Sequence, residues 1–153
     1  MFVFLFLFYY KLKPLPFTTM PISIKYSLEP KKFRYNSFQD IEQLDRYNDI
    51  VYIDCSWNQL TSLPEYLPNS LQKLYCFRNE LTSLPNLPNS LQKIECDDNQ
   101  LTSLPEHLPN SLQKLDCYYN KLTSLPEHLP NSLQILKCSN YFYFNRKLSF
   151  ITI

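Results

Sequence analysis

Apolar residues return on a fixed schedule between Ile50 and Cys138. Each unit opens on an L-x-x-L-x-C stretch, continues through N-x-L-T-S-L-P and closes on L-P-N-S. The units begin at Ile50, Leu71, Leu91 and Leu112, and a fifth opens as LQILKC at Leu133. The cysteines mark the period: they fall at 55, 76, 96, 117 and 138, spaced by 21, 20, 21 and 21 residues. Within each opening stretch the apolar positions alternate, which is the period of a strand. Alternation turns Ile53 and Cys55, Leu74 and Cys76, Ile94 and Cys96, and Leu115 and Cys117 inward. Leu60, Leu81, Leu101 and Leu122 follow the turn and are expected inward as well. One such unit is too short to bury its own apolar side, so successive units must stack. Stacking pairs their strands in parallel, at about 4.8 Å per unit. The return path TSLPEHLPNS carries two prolines. Proline removes a donor and disfavours helix at the residue before it, so that side is expected to be extended or polyproline-like.

The ends depart from this pattern. Residues 1–36 read as an apolar segment followed by a linker, with prolines at 14, 16, 21 and 30. Phe38, Ile41, Leu44 and Tyr47 are three apart, which predicts a helix over 37–49 capped by Ser37. That helix would cover the exposed first face of the stack. The repeats occupy 50–141 as four full units and one partial, because Tyr141 stands where the earlier units carry Asn. Residues 142–153 form a tail, read either as a last covering strand or as a degenerate end.

The unit L-x-x-L-x-C-x-x-N-x-L resembles the leucine-rich repeat, with Cys in the third apolar place. Its short length and LPxxLP segment are similar to the type found in secreted effectors of pathogenic bacteria. Its cysteine and asparagine content is similar to repeat proteins of giant viruses that infect amoebae. The resemblance implies a mainly β solenoid with a parallel sheet on its concave face. It also implies that Asn58, Asn79, Asn99 and Asn120 form a ladder whose amides satisfy the turning backbone.

Composition narrows the chemistry. Hydrophobic residues are 44% and charged residues 19%, which suits a folded chain. Glycine is absent, so no phosphate-cradling glycine loop exists, and left-handed turns are expected at Asn or Asp. Residues 50–141 carry six basic and nine acidic groups, a net charge of −3, which argues against nucleic acid. Five cysteines at the core period read as buried free thiols rather than a disulfide framework, and free thiols fit a reducing intracellular compartment. No Cys/His spacing of zinc type occurs, and no cofactor is expected. His107 and His128 occupy equivalent loop positions in adjacent units, which duplication explains. The run MFVFLFLFYY is too short to span a bilayer and lacks the features of a secretory signal. Membrane contact through residues 1–10 and a true start at Met20 are secondary readings.

Comparison of units inside the chain separates scaffold from variation. LTSLP and LPNSLQ hardly change, whereas the outward positions change most. Trp57, Tyr75, Phe77, Arg78, Asp97, Asp98, Tyr118 and Tyr119 are therefore the expected partner-binding residues, placed on the concave face. The function this predicts is a non-catalytic, monomeric protein–protein interaction module in the host cytoplasm. Two alternatives stand beside it. One is a substrate-recognition subunit for a separate ubiquitin ligase chain. The other is a shortened duplicate whose variable positions drift.

Overall fold

The computed structural model describes residues 19–138. The apolar run at 1–10, residue 141 and the tail at 142–153 lie outside them. Five strands open the five units: β3 (Ile50–Asp54), β4 (Lys73–Tyr75), β5 (Lys93–Glu95), β6 (Lys114–Asp116) and β7 (Ile135–Lys137). They pair in parallel, each with the next unit, and the register sets equivalent positions side by side: Ile53, Leu74, Ile94, Leu115 and Leu136 are successive partners. No helix interrupts the segments between these strands. They run as extended coil and turns, as the paired prolines require. Each L-P-N-S closes a turn in which the Leu amide donates to the proline carbonyl, as in Leu91 N to Pro88 O at 3.0 Å.

The core is a set of columns along the solenoid axis. Leu71, Leu91 and Leu112 form one, the central strand residues a second, and Cys55, Cys76, Cys96 and Cys117 a third. Leu81 and Leu101 are fully buried, while Leu60 and Leu122, on the outer units, are half-buried. A fully buried aliphatic side chain contributes about 1.5–3 kcal/mol, but only once a neighbouring unit covers it.

The beginning of the chain differs from the linker and long helix expected there. Ile22–Tyr26 (β1) and Phe33–Tyr35 (β2) form an antiparallel hairpin, and β1 also pairs antiparallel with β3. The sheet order is β2-β1-β3-β4-β5-β6-β7. Pro21 and Pro30 sit outside the two strands, so neither removes a needed donor. Ile22, Ile24 and Tyr26 are buried in alternation, a period-two signal that the surrounding prolines obscured. The helix is confined to Phe38–Glu42 (α1), with the Ser37 hydroxyl accepting from the Asp40 amide at 3.3 Å as the cap. Beyond it the backbone tightens to three-residue bonds, Tyr47 N to Leu44 O and Asp49 N to Arg46 O. Arg46 is drawn to Glu29 at 2.7 Å and to Asp49 at 3.3 Å, which ties this turn to the hairpin. Hairpin, α1 and turn together close the first face of the stack.

Candidate binding surface

The geometry of the surface follows from one residue per unit. A strand continued past the cysteine would point its eighth position inward, because the fourth and sixth positions already do. Instead the eighth residue turns left-handed: φ is 59° at Trp57, 53° at Arg78, 53° at Asp98 and 48° at Tyr119. This single turn breaks the alternation. It throws the eighth side chain outward and rotates the following Asn into the interior. Left-handed backbone was expected at Asn or Asp, and only Asp98 fits that expectation. Arg78 and Tyr119 adopt it where the Asn behind them is held by two units, and Trp57 where Asn58 is held within its own.

That holding is extensive. The Asn79 amide Nδ2 donates to the carbonyls of Cys76 at 3.1 Å and Cys55 at 3.0 Å, while its Oδ1 accepts the Leu60 amide at 3.0 Å. Asn99 and Asn120 repeat the arrangement against the preceding unit. A second ladder runs along the other side and was not foreseen. The Ser90 and Ser111 hydroxyls each reach the Asn carbonyl that closes the unit before and the Leu carbonyl that opens their own, at 2.6–2.7 Å, and Ser132 reaches the Leu112 carbonyl. The invariance of Ser in L-P-N-S was its only sequence signal.

The expected binding residues therefore fall into two groups. Tyr75 alone lies on a strand, where its ring meets Tyr52 at 5.3 Å and its hydroxyl lies 3.0 Å from Lys93 Nζ. Phe77, Asp97 and Tyr118 follow the strands by two residues, and Arg78, Asp98, Trp57 and Tyr119 occupy the left-handed turns. These seven form a row along the rim of the sheet rather than on its strands. The backbone ladder reaches that far, with Trp57 N to Phe77 O at 3.1 Å and Arg78 N to Asp97 O at 3.0 Å.

The row is not uniform. At one end Trp57 and Phe77 meet edge to face at 6.5 Å, and the Arg78 guanidinium lies 3.9 Å from the centre of the Trp57 ring. Arg78 also pairs with Asp98 at 3.3 Å. At the other end Tyr118 and Tyr119 pack at 4.1 Å. Trp57 is 50% exposed and Tyr119 61%. The strand columns between are occupied by ion pairs: Glu95 sits between Lys93 at 3.0 Å and Lys114 at 2.6 Å, and Asp116 pairs with Lys137 at 3.1 Å. Burial acts to raise the Glu95 carboxyl, but the two lysines outweigh it and leave it lowered. Asp97 is the opposite case, raised by burial and by the acidic Asp116, Glu95 and Asp98.

Burial keeps the thiols protonated at neutral pH. Burial, with the Asp54 charge, pushes Cys55 up to about 12. Burial, with Cys138, does the same to Cys117. Cys76 and Cys96 stand well above their ordinary value, again from burial first. All five cysteines are free, and Cys138 is half-buried. Among the described residues no group of three His, Cys, Asp or Glu side chains could hold a metal ion, and no helix is long and apolar enough to cross a membrane. His107 and His128 are exposed on the return path. An open groove of about 410 Å³ lies where α1 meets unit one, lined by Ile22, Phe38, Leu60 and Leu63 with uncharged polar neighbours.

These units can be set against known proteins. The Leucine Rich Repeat family matches residues 111–133. The solved Shigella effector LRR domain superposes with a TM-score of 0.52 and 38% identity, covering 54% of this chain and 37% of that one. The leucine-rich effector YopM of Yersinia pestis superposes with a TM-score of 0.56 and 34% identity, covering 60% of this chain and 25% of that one. The fold is a leucine-rich repeat solenoid. Its parallel sheet is the one the resemblance implied, and its helix-free return path the one the paired prolines implied. Lumican of Gallus gallus and of Coturnix japonica are each 46% identical to it over 39 residues, 26% of this chain and 11% of theirs. The chain thus spans little more than a third of the Shigella domain, a quarter of YopM and about a tenth of the lumicans. The likeness to effector repeats rests on these matches, and they do not bear on the viral one. Leucine-rich repeat domains are in general protein-interaction scaffolds rather than catalytic ones.

Proposed function

We propose that this solenoid binds a protein partner through the rim row of Trp57, Phe77, Arg78, Asp97, Asp98, Tyr118 and Tyr119, with Tyr75 on the adjoining strand. The observation that carries the reading is the exposure of Trp57 and Tyr119 in left-handed turns. Large aromatic groups held outward on a strained backbone contribute little to the core. They are the residue types that dominate binding energy at interfaces. The free, protonated thiols support a reducing compartment inside a cell, and the likeness to effector repeats supports a host cytoplasm.

The test is calorimetric titration of a captured partner against the intact chain and against Trp57→Ala, Phe77→Ala and Tyr119→Ala, with His107→Ala as a control on the return path. Affinity lost on the rim and kept on the return path supports the reading. Equal affinity throughout leaves drift after duplication as the better account. The likeness to an effector repeat domain favours one second reading, that the partner is the substrate of a separate ubiquitin ligase chain. Partner turnover dependent on Phe77 and Trp57 in a ligase-containing lysate distinguishes it.

A further inference from the structure

The acidic side chains around the middle of the rim are nearly all neutralised within the fold. Glu95 has Lys93 and Lys114, Asp116 has Lys137, and Asp98 has Arg78. Asp97 differs. It is half-buried, the charges of Asp116, Glu95 and Asp98 act against its ionised form with only a backbone amide opposing them, and among the described residues no ion pair reaches it. It also stands midway along the rim, in the unit between Phe77 and Tyr118. A partly desolvated carboxylate among like charges is unfavourable in the free protein, and an arriving cation removes that disadvantage.

We infer that the rim takes an extended segment presenting one basic side chain between two apolar ones. The basic group meets Asp97, one apolar group packs on Trp57 and Phe77, and the other on Tyr118 and Tyr119. This rests on the reading of the rim as a binding surface and names the partner's chemistry. Charge complementarity selects the occupant, and spacing agrees. The centre of the Trp57–Phe77 pair and the Tyr118–Tyr119 pair are two and a half units apart, about 12 Å at the usual strand spacing. Side chains at i, i+2 and i+4 of an extended segment share one face and span about 13 Å. An i, i+2, i+4 pattern of apolar, basic, apolar therefore places all three groups at once.

The experiment selects a displayed library of random 12-residue peptides on the intact chain. Enriched peptides are then titrated, each beside its counterpart with the basic residue changed to Gln. The expected result is enrichment of Lys or Arg two residues from an apolar side chain on each side. Affinity should fall at least tenfold for the Gln counterpart and at least tenfold on Asp97→Asn. Enriched peptides that lose affinity on Phe77→Ala, yet carry no basic residue and ignore Asp97→Asn, overturn the basic partner and leave the rim as a binding surface. Peptides indifferent to Trp57→Ala and Phe77→Ala, or no enrichment at all, overturn both.

Discussion

The side chain of Asn99 bonds to the backbone of a residue in the unit before its own: its Nδ2 lies 2.9 Å from the carbonyl of Cys76. The same Nδ2 reaches Cys96 O at 3.1 Å, and Oδ1 accepts the Leu81 amide at 3.0 Å. One amide thus joins two units and satisfies buried backbone in both. Asn99→Ala leaves the Leu81 amide without a partner, while the Cys76 and Cys96 carbonyls each keep one, from Asn79 and Asn120, so it should cost about 1–3 kcal/mol, the usual cost of one orphaned buried group. Among the described residues, Asn58 bonds only within its own unit, to Cys55 O and Ser56 O. Asn58→Ala should cost less. Urea unfolding of the two variants checks the order, and a larger loss at Asn58 would contradict the ladder as the coupling element.

The left-handed turns predict an inverted glycine effect. In strands and helices Gly is less stable than Ala by about 0.5–1 kcal/mol. At Tyr119, where φ is 48°, Tyr119→Gly should be more stable than Tyr119→Ala by about 1 kcal/mol. Both variants lose the ring contact with Tyr118, so their difference isolates the backbone. Thermal melts of the pair decide it, and Ala above Gly would refute the turn.

The buried thiols set an alkaline limit. Their pKa values are raised in the folded chain, so the folded state keeps protons that the unfolded chain releases. The stability tied to them is whole below the ordinary thiol value, about 8.5, and falls as pH rises toward the folded value. Each thiol steepens that loss by about 1.4 kcal/mol per pH unit. Changing Cys55 and Cys117 to Ser should flatten the decline between pH 9 and 11 without altering its direction. Denaturation midpoints across that interval measure it, and an unchanged slope would count against thiol burial.

Thiol labelling gives an independent measure. Cys138 is half-buried and should react first, with Cys55, Cys76, Cys96 and Cys117 reacting only on unfolding. Cys96→Ser should cost only about 1 kcal/mol, because Sγ lies 3.3 Å from Asp116 O and a hydroxyl finds an acceptor there. Mass spectrometry of a timed maleimide reaction resolves the order, and early labelling of Cys96 would exclude a sealed core.

Binding and stability should separate on the rim. Trp57→Ala, Phe77→Ala and Tyr119→Ala should each weaken partner binding by about 2 kcal/mol, the usual size of a dominant contact. His107→Ala and His128→Ala should leave it unchanged. Asp97→Asn should make the free protein more stable at pH 7. A raised carboxyl favours folding only below its unfolded value and loses that contribution as pH rises through the folded one. The advantage of Asn should therefore shrink toward pH 3, with Arg78, Lys93, Lys114 and Lys137 present as the nearby cations throughout. Melting curves at both pH values test the sign, and a variant less stable at pH 7 would show that Asp97 is already compensated.

The repeat was legible because its determinants are local and recur. Alternation around Leu74 and Cys76 dictates a strand wherever it appears, and prolines 85 and 88 exclude a helix in the segment that follows. The column of cysteines was legible for the same reason. What lay beyond the sequence depended on neighbours. Ile22, Ile24 and Tyr26 form a strand between the edge of β3 and β2, while the helix after Ser37 ends at Glu42 and the chain enters β3 at Ile50. No local signal marks Trp57, Arg78 or Tyr119 as left-handed. Residues of these types avoid that region, and Arg78 and Tyr119 enter it beside an Asn fixed by two units. Sequence alone thus determined the period, the strands and the buried columns. Stacking helped decide which variable side chains leave the strand for the rim, because the turns at Arg78, Asp98 and Tyr119 are held in part by bonds that form between units.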